Sequence, residues 1–487
     1  MNGKEEVQER HHTRRSNLKP PNPAVDATQF ATTKDDLHTF DDWRNTIHPY
    51  LHAPERYIGT GHDSTKEWYL GPTYGRDETL INPDGGIIAG TLQAMVELLT
   101  THDHRDPSFI KTFLSTYKSF TNLDQLFNLL LARFNIQSPE GLYPFELEEW
   151  IRLKRTPVRS RVIAAFQTMV TDGEVLEKDD YSILERMKDF LLTTDAAELP
   201  ASKRLFDLIE RAQAGRDPNV KMTPVSSQIP PRTIPPKVSW FRKLQFLDID
   251  GLEMAKQLTI LESRLYNKVR TIECLLRARE SNKGGEHRDH IHDVIQMTNK
   301  ISYWVTNTIL SRKDPRNRAT VFEHFVSVAN HCRILNNFSS MFAIIGGLNS
   351  PPIRRLTRTW DNVDSECMPD LEPCEALLRS YQKFSNYRST LAKVSPPCVP
   401  FIGVYLTDLT VIQHDIKDHL QPNMISFKNC QGIAEVLREI KHWQSAQFNL
   451  RPLPVVLRFI EESLAVFSDG TNWDDYFWNA SLEREPT

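Results

Sequence analysis

The chain has 487 residues, 39% of them apolar and 25% charged, with a formal net charge of −4 and acidic and basic residues interspersed. That is enough material for two or three domains and more than one buried core. The balance offers no basic patch with interleaved aromatics of the kind that binds nucleic acid.

The opening, MNGKEEVQERHHTRR, lacks the apolar stretch of a secretory signal. Residues 1–40 are polar, rich in Pro, His and Arg, and without periodicity, which predicts disorder. Residues 41–85 carry Trp43, Trp68 and Tyr69 among Gly and Pro and read as an extended lead-in that docks on something else. From 86 to 214 the pattern is helical. Leu92, Met95, Val96 and Leu99 fall on one face. At 121–134, Thr121 and Asp124 resemble a capping box ahead of the stripe Leu123, Leu126, Phe127, Leu130 and Phe134. Residues 215–240, opening with GRDPNVKMTPVSSQIPPRTIPPK, are Pro-rich and aperiodic and read as a linker. Helical patterning resumes over 248–487, where Leu258, Leu261, Glu262 and Leu265 share a face, as do Phe322, Phe325, Val326 and Ala329. Alternating segments are few and short, so the expected fold class is all-α, without internal repeats. The longest near-apolar run, MFAIIGGL at 341–348, is too short to span a bilayer, and the final EREPT carries no prenylation box. A cytoplasmic protein is expected, with any membrane role peripheral.

The search for chemistry comes back nearly empty. The chain has no GxxxxGK[ST] loop, no HExxH and no GxSxG. HRD occurs at His104–Asp106 and His287–Asp289, but the catalytic-loop Asn position holds Lys111 and Val294. His287, His290 and His292 cluster in a charged segment that reads as a solvated loop before it reads as a metal site. The six cysteines are widely spaced, without CxxC pairs, and read as reduced thiols. No cofactor and no metal are expected. An interaction protein without covalent chemistry becomes the leading class.

Five segments then carry a resemblance. DIDGLEMAKQLTILESRLYNKVRTIECL at 248–275, FSSMFAIIGGLNSPPIRRL at 338–356, FSNYRSTL at 384–391, PPCVPFIGVYLTDLT at 396–410 and the closing WDDYFWNASLEREPT resemble the catalytic domain of Ras exchange factors of the Son-of-sevenless type, in the same order. GGIIAGTLQAMVELLTTHD at 85–103 and the helices after it resemble that family's N-terminal exchanger-motif domain. The resemblance implies a guanine-nucleotide exchange factor for a Ras-family GTPase, preferring the nucleotide-free form and displacing GDP and Mg²⁺ with a projecting helical hairpin beside switch I.

The hairpin maps onto residues 403–445. Leu406, Leu409, Ile412 and Ile416 give one apolar stripe, and Ile433, Val436, Leu437 and Ile440 another. Periodicity by itself favours an ordinary core hairpin; the resemblance makes it the projecting one. By the same resemblance Phe342, Asn349 and Phe401 cradle switch II, Lys256 and Thr259 present the polar face of the first catalytic helix, and Thr407 and Asp408 meet switch I, Asp408 reading equally as a helix cap. Tyr405 and Leu406 pack the hairpin base. Thr410 and His414 occupy the wedge positions, where relatives place a hydrophobic residue and a carboxylate. QHDIKDHLQP replaces the family's acidic turn. The expectation is exchange activity, weakened or tuned to an unusual GTPase; the alternative is a GTPase-binding scaffold that has lost exchange. The upstream helices are expected to brace the hairpin.

Overall fold

A computed structural model describes residues 67–82, 86–172, 175–176, 180–214, 229–237, 242–280, 289–379, 381–414, 423–467 and 471–486. The expected disordered segment 1–40, the lead-in up to 66, and the linker over 215–228 and 238–240 lie outside them.

The described residues form a helical protein with one small sheet. The lead-in continues through short 3₁₀ turns into β1 (Thr79–Ile81), and β2 (Ile87–Thr91) follows. An upstream set of helices comes next: α1 (Leu92–Leu99), α2 (Pro107–Thr116), α3 (Leu123–Phe134), α4 (Pro144–Trp150), α5 (Thr156–Thr171), α6 (Ser182–Leu191), α7 (Thr194–Ala197) and α8 (Pro200–Gln213). The second set comprises α9 (Gly251–Tyr266), α10 (Thr271–Glu280), α11 (His290–Leu310), α12 (Pro315–Ile334), α13 (Phe338–Leu348), α14 (Pro351–Arg354), α15 (Thr357–Trp360), α16 (Met368–Leu378) and α17 (Tyr381–Leu391). Then come α18 (Ile402–His414), β3 (Met424–Ser426), α19 (Phe427–Trp443), α20 (Pro454–Leu464) and α21 (Trp473–Arg484). No described helix is long and apolar enough to cross a membrane.

Local chemistry sets many of the helix starts. Asp106, Asn122, Asp250, Asp289, Asn337 and Asn472 each accept a backbone N–H from their own first turn. The expected capping box at Thr121 is corrected by one residue. Asn122 caps α3 through Gln125 N–H at 2.8 Å, and the Thr121 hydroxyl donates to the Gln125 side chain instead.

Two hydrophobic cores result. One is built from the upstream helices, with Phe113, Phe127, Leu130, Phe166 and Met187 at its centre. The other is built on α9–α21 around Trp304, Phe325, Met341 and Ile344. In the second, α11 and α13 cross closely. A Cβ at Gly347 would stand 2.6 Å from the Ser302 carbonyl, so only glycine permits that approach. The upstream core also includes Phe427 and Cys430, which belong to α19.

The lead-in is clasped onto the upstream helices by polar contacts. Tyr69 donates to Glu149 at 2.6 Å, Lys154 donates to the Gly71 carbonyl at 2.5 Å, and Glu97 accepts from Thr73 N–H at 3.0 Å while pairing with Arg133 at 3.2 Å. The sheet runs β1-β2-β3, antiparallel throughout. The described part of the linker is bonded too: Ile234 N–H donates to Glu253 and Lys237 N–H to the Asp248 carbonyl, each at 2.8 Å. The six cysteines are free thiols, five of them buried.

Candidate functional site

The segment PPCVPF is held first. Val399 forms a bridge with Asn337, accepting from Phe338 N–H at 2.9 Å and donating to the Asn336 carbonyl at 2.9 Å. This fixes Phe401 over α13. Its ring stacks on Phe342, with centroids 4.5 Å apart and planes 13° apart. Tyr387 of α17 stands edge-on to Phe342 at 5.2 Å, and its oxygen accepts Phe401 N–H at 2.9 Å. Burial drives the Tyr387 hydroxyl well above its ordinary pKa, so it remains a phenol. The pair Phe342 and Phe401, 6% and 9% exposed, is a nearly closed aromatic seat at the foot of the hairpin.

The hairpin itself consists of α18 and α19. Leu409 and Ile412 of the first helix are buried, as are Ile433, Val436, Leu437 and Ile440 of the second. Ile416 lies outside the described residues. Tyr405 is buried and accepts from Trp443 Nε1 at 2.8 Å, and Tyr266 donates to the Ile440 carbonyl at 3.4 Å. These contacts stiffen the base. The far end of α19 is tied to the upstream domain. Ser426, Ile425 and Met424 of β3 pair with Ala89, Gly90 and Thr91 of β2. Phe427 then packs on Phe109 at 4.8 Å. The upstream helices therefore grip the hairpin at the start of its second helix, by both backbone and ring contacts.

The sequence-derived site residues do not all come together. Phe342 and Phe401 come together. Asn349 caps the end of α13 and accepts from Arg354, which also pairs with Glu375 at 2.6 Å. Thr407 and Thr410 lie half-buried on α18, each donating its hydroxyl to the carbonyl one turn back, Gly403 and Leu406, at 2.9 Å. Thr410 therefore offers a small methyl-bearing bump with its proton already committed. His414 is the last residue of α18, and its side chain lies outside the described atoms.

Lys256 and Thr259 are corrected. Thr259 is fully buried, donating to the Ala255 carbonyl at 2.7 Å and accepting from Asn337 at 3.1 Å. Lys256 is 7% exposed and lies under the linker, donating to the Arg232 carbonyl at 3.3 Å. Neither presents an open polar face, because α9 is the central helix and is covered on nearly all sides. Asp408 is neither a cap nor an open contact: it sits mid-helix, 8% exposed, with Arg388 on both its oxygens at 2.9 and 2.7 Å. Sequence reasoning missed Arg388. A carboxylate inside the apolar run VYLTDL demands a cation, and that was the available signal.

Of the histidine cluster, His287 lies outside the described residues, His290 bonds Glu273 at 2.7 Å, and His292, in the first turn of α11, donates its backbone N–H to Asp289 at 2.7 Å.

The class of protein defined here is a helical one that presents a stiffened hairpin, beside an aromatic seat, with a second helical unit gripping the hairpin from behind. Residues 253–431 match the RasGEF domain and residues 86–190 match the RasGEF N-terminal motif. The chain belongs to the Ras guanine-nucleotide exchange factor family.

Among its relatives is cell division control protein 25 of Candida albicans, 33% identical over 435 residues, covering 88% of this chain and 32% of the relative. The protein of the same name in Saccharomyces cerevisiae is 32% identical over 426 residues, covering 82% of this chain and 26% of the relative. Ras guanine nucleotide exchange factor J of Dictyostelium discoideum is 28% identical over 382 residues, covering 77% and 46%. The chain thus spans between about a quarter and a half of the length of these relatives.

Proposed function

We propose that this chain accelerates release of guanine nucleotide from a Ras-family small GTPase without covalent chemistry. Such GTPases hold nucleotide at roughly picomolar affinity, about 16 kcal/mol. A partner that speeds release must bind the empty form better, and by linkage the partner and the nucleotide then weaken each other's binding equally. Coupling of that size calls for a broad interface, above about 2,000 Å², and a rigid element that displaces switch I.

The observation carrying this reading is the hairpin of α18 and α19, stiffened at its base and gripped by β2 and Phe109. Phe342 and Phe401 receive switch II, with Asn349 at the edge. Thr407 and Thr410 meet switch I, with His414 at the end of the same helix, and bulk there excludes Mg²⁺. The protein acts in the cytoplasm and reaches the inner membrane surface through its GTPase.

The test is release of labelled GDP from a panel of Ras, Rap and Ral proteins, with accelerated release from at least one expected. A second reading, a scaffold that binds without exchange, draws support from the committed hydroxyl of Thr410 and the histidine at 414. Binding to the nucleotide-free GTPase with an unchanged GDP dissociation rate would establish that reading instead.

A further inference from the structure

Tyr387 and Arg388 are consecutive residues of α17, yet they serve different halves of the site. Tyr387 touches the aromatic seat, at 5.2 Å from Phe342, and accepts the Phe401 amide. Arg388 forks onto Asp408 of α18 through two parallel bonds of 2.9 and 2.7 Å, with side chains only 17% and 10% exposed. Glu439 of α19 adds a second negative field at the same guanidinium. Planar bidentate pairing fixes orientation as well as distance, and removing one partner of a nearly buried pair strands the other charge.

We propose that Arg388 is a positioning residue for exchange: through Asp408 it locks α18 to the helix that holds the aromatic seat, so that seat and hairpin present themselves as one body. This rests on the exchange-factor reading above. The leverage is geometric. At about 1.5 Å per residue, His414 lies roughly 18 Å from Ile402 and Asp408 roughly 9 Å. A tilt of about 10° at the helix start, which the lock at Asp408 prevents, would carry the end of α18 by roughly 3 Å. A wedge that must occupy a magnesium pocket does not tolerate such a shift. The competing role for Asp408, direct contact with the GTPase, makes a different prediction for each partner of the pair.

The test compares Arg388→Met, Asp408→Asn, the double variant and Arg388→Lys in the full chain. GDP release is followed against GTPase concentration, and backbone amide exchange over 402–412 is measured in the free protein. Either single variant is expected to lower the saturating rate at least about tenfold while changing half-saturation less than about threefold. The double variant should be no worse than the singles. Arg388→Lys should recover part of the rate, since it restores the charge without the fork. Amides of α18 should exchange faster in both single variants, with those of α11 and α13 unchanged.

The proposal is overturned if Asp408→Asn raises half-saturation while Arg388→Met changes nothing, or if α18 amides are as protected in the variants as in the parent. If the parent chain releases GDP from no GTPase of the panel, the exchange reading falls, and the amide measurement alone decides whether the pair locks the helix.

Discussion

Phe427, the first residue of the second hairpin helix, stands ring to ring with Phe109 of the upstream domain, their centroids 4.8 Å apart. Both rings are 5% exposed or less and share a core with Phe113 and Cys430. The hairpin is therefore partly a member of a domain that lies more than 200 residues earlier in the sequence. Phe109→Ala is expected to destabilise the upstream core by about 3–5 kcal/mol and to slow GDP release, because the start of α19 loses its footing. Urea unfolding and the release assay measure the two effects. A destabilised but fully active variant would show that the grip is structural only.

Gly403 follows the aromatic seat by two residues. A Cβ at that position would stand 2.6 Å from Phe401 Cε1 and 2.7 Å from Cζ. Gly403→Ala should push the Phe401 ring off Phe342, at a cost of about 1–3 kcal/mol in stability. The expected kinetic signature is a higher half-saturation by the GTPase. Half-saturation equal to the parent's would mean the stacked arrangement is not what the partner meets.

Glu262 is fully buried in α9, with Ser339 donating to Oε2 at 2.9 Å and Oε1 without a hydrogen-bond partner among the described residues. Burial pushes its carboxyl up from 4.5 to about 7, with the Ser339 bond pulling it back only in part. Between those values the folded state keeps a proton that the unfolded state releases, so stability falls as pH rises through the window. The loss amounts to at most about 3 kcal/mol by the usual conversion. Glu262→Gln should remove this slope, narrowing the difference between denaturation midpoints at pH 5 and pH 8. An unaltered slope would assign the titration to another group.

The last helix is anchored by a buried ion pair. Arg318, wholly buried, donates to Glu485 at 2.6 Å and to Thr359 at 2.7 Å, while Glu485 also accepts from the Arg358 and Thr359 amides. Glu485→Ala strands the guanidinium and should cost about 3–5 kcal/mol. Thermal melting should drop by several degrees while the exchange rate per folded molecule holds. A change in rate larger than the change in folded fraction would tie this anchor to the site.

His414 ends α18. His414→Glu should raise the GDP release rate if a carboxylate there assists nucleotide departure. An equal or lower rate in the same GTPase panel would remove that role from position 414.

The hairpin was legible in the sequence because its two stripes follow helical spacing and a resemblance gave them a place. The same spacing failed at Lys256 and Thr259. They lie on α9, where residues 253–262 are all buried, polar ones included. A one-sided pattern predicts a one-sided helix, but α9 has neighbours all round and satisfies its polar groups pairwise. Gln257 shows how: it donates to Glu253 at 2.7 Å and to the Arg451 carbonyl at 3.1 Å, and accepts from Leu453 N–H at 2.9 Å. Partners nearly 200 residues away leave no local trace. Arg388 is a different case: the apolar run around Asp408 signals that a cation is needed, but not which one, since the cation lies 20 residues earlier in the chain.

Periodicity, capping residues and the linker composition by themselves determined that this chain is helical, in two sets, with a helix pair near 403–445. They could do so because helix faces and caps depend on residues within one or two turns. Only the tertiary structure decided that β3 joins a sheet begun at Thr79, that Phe427 belongs to the upstream core, and that Asp408 is spent on Arg388. Those choices depend on which distant surfaces meet, and burial of ring and charge fixes them once the chain has closed.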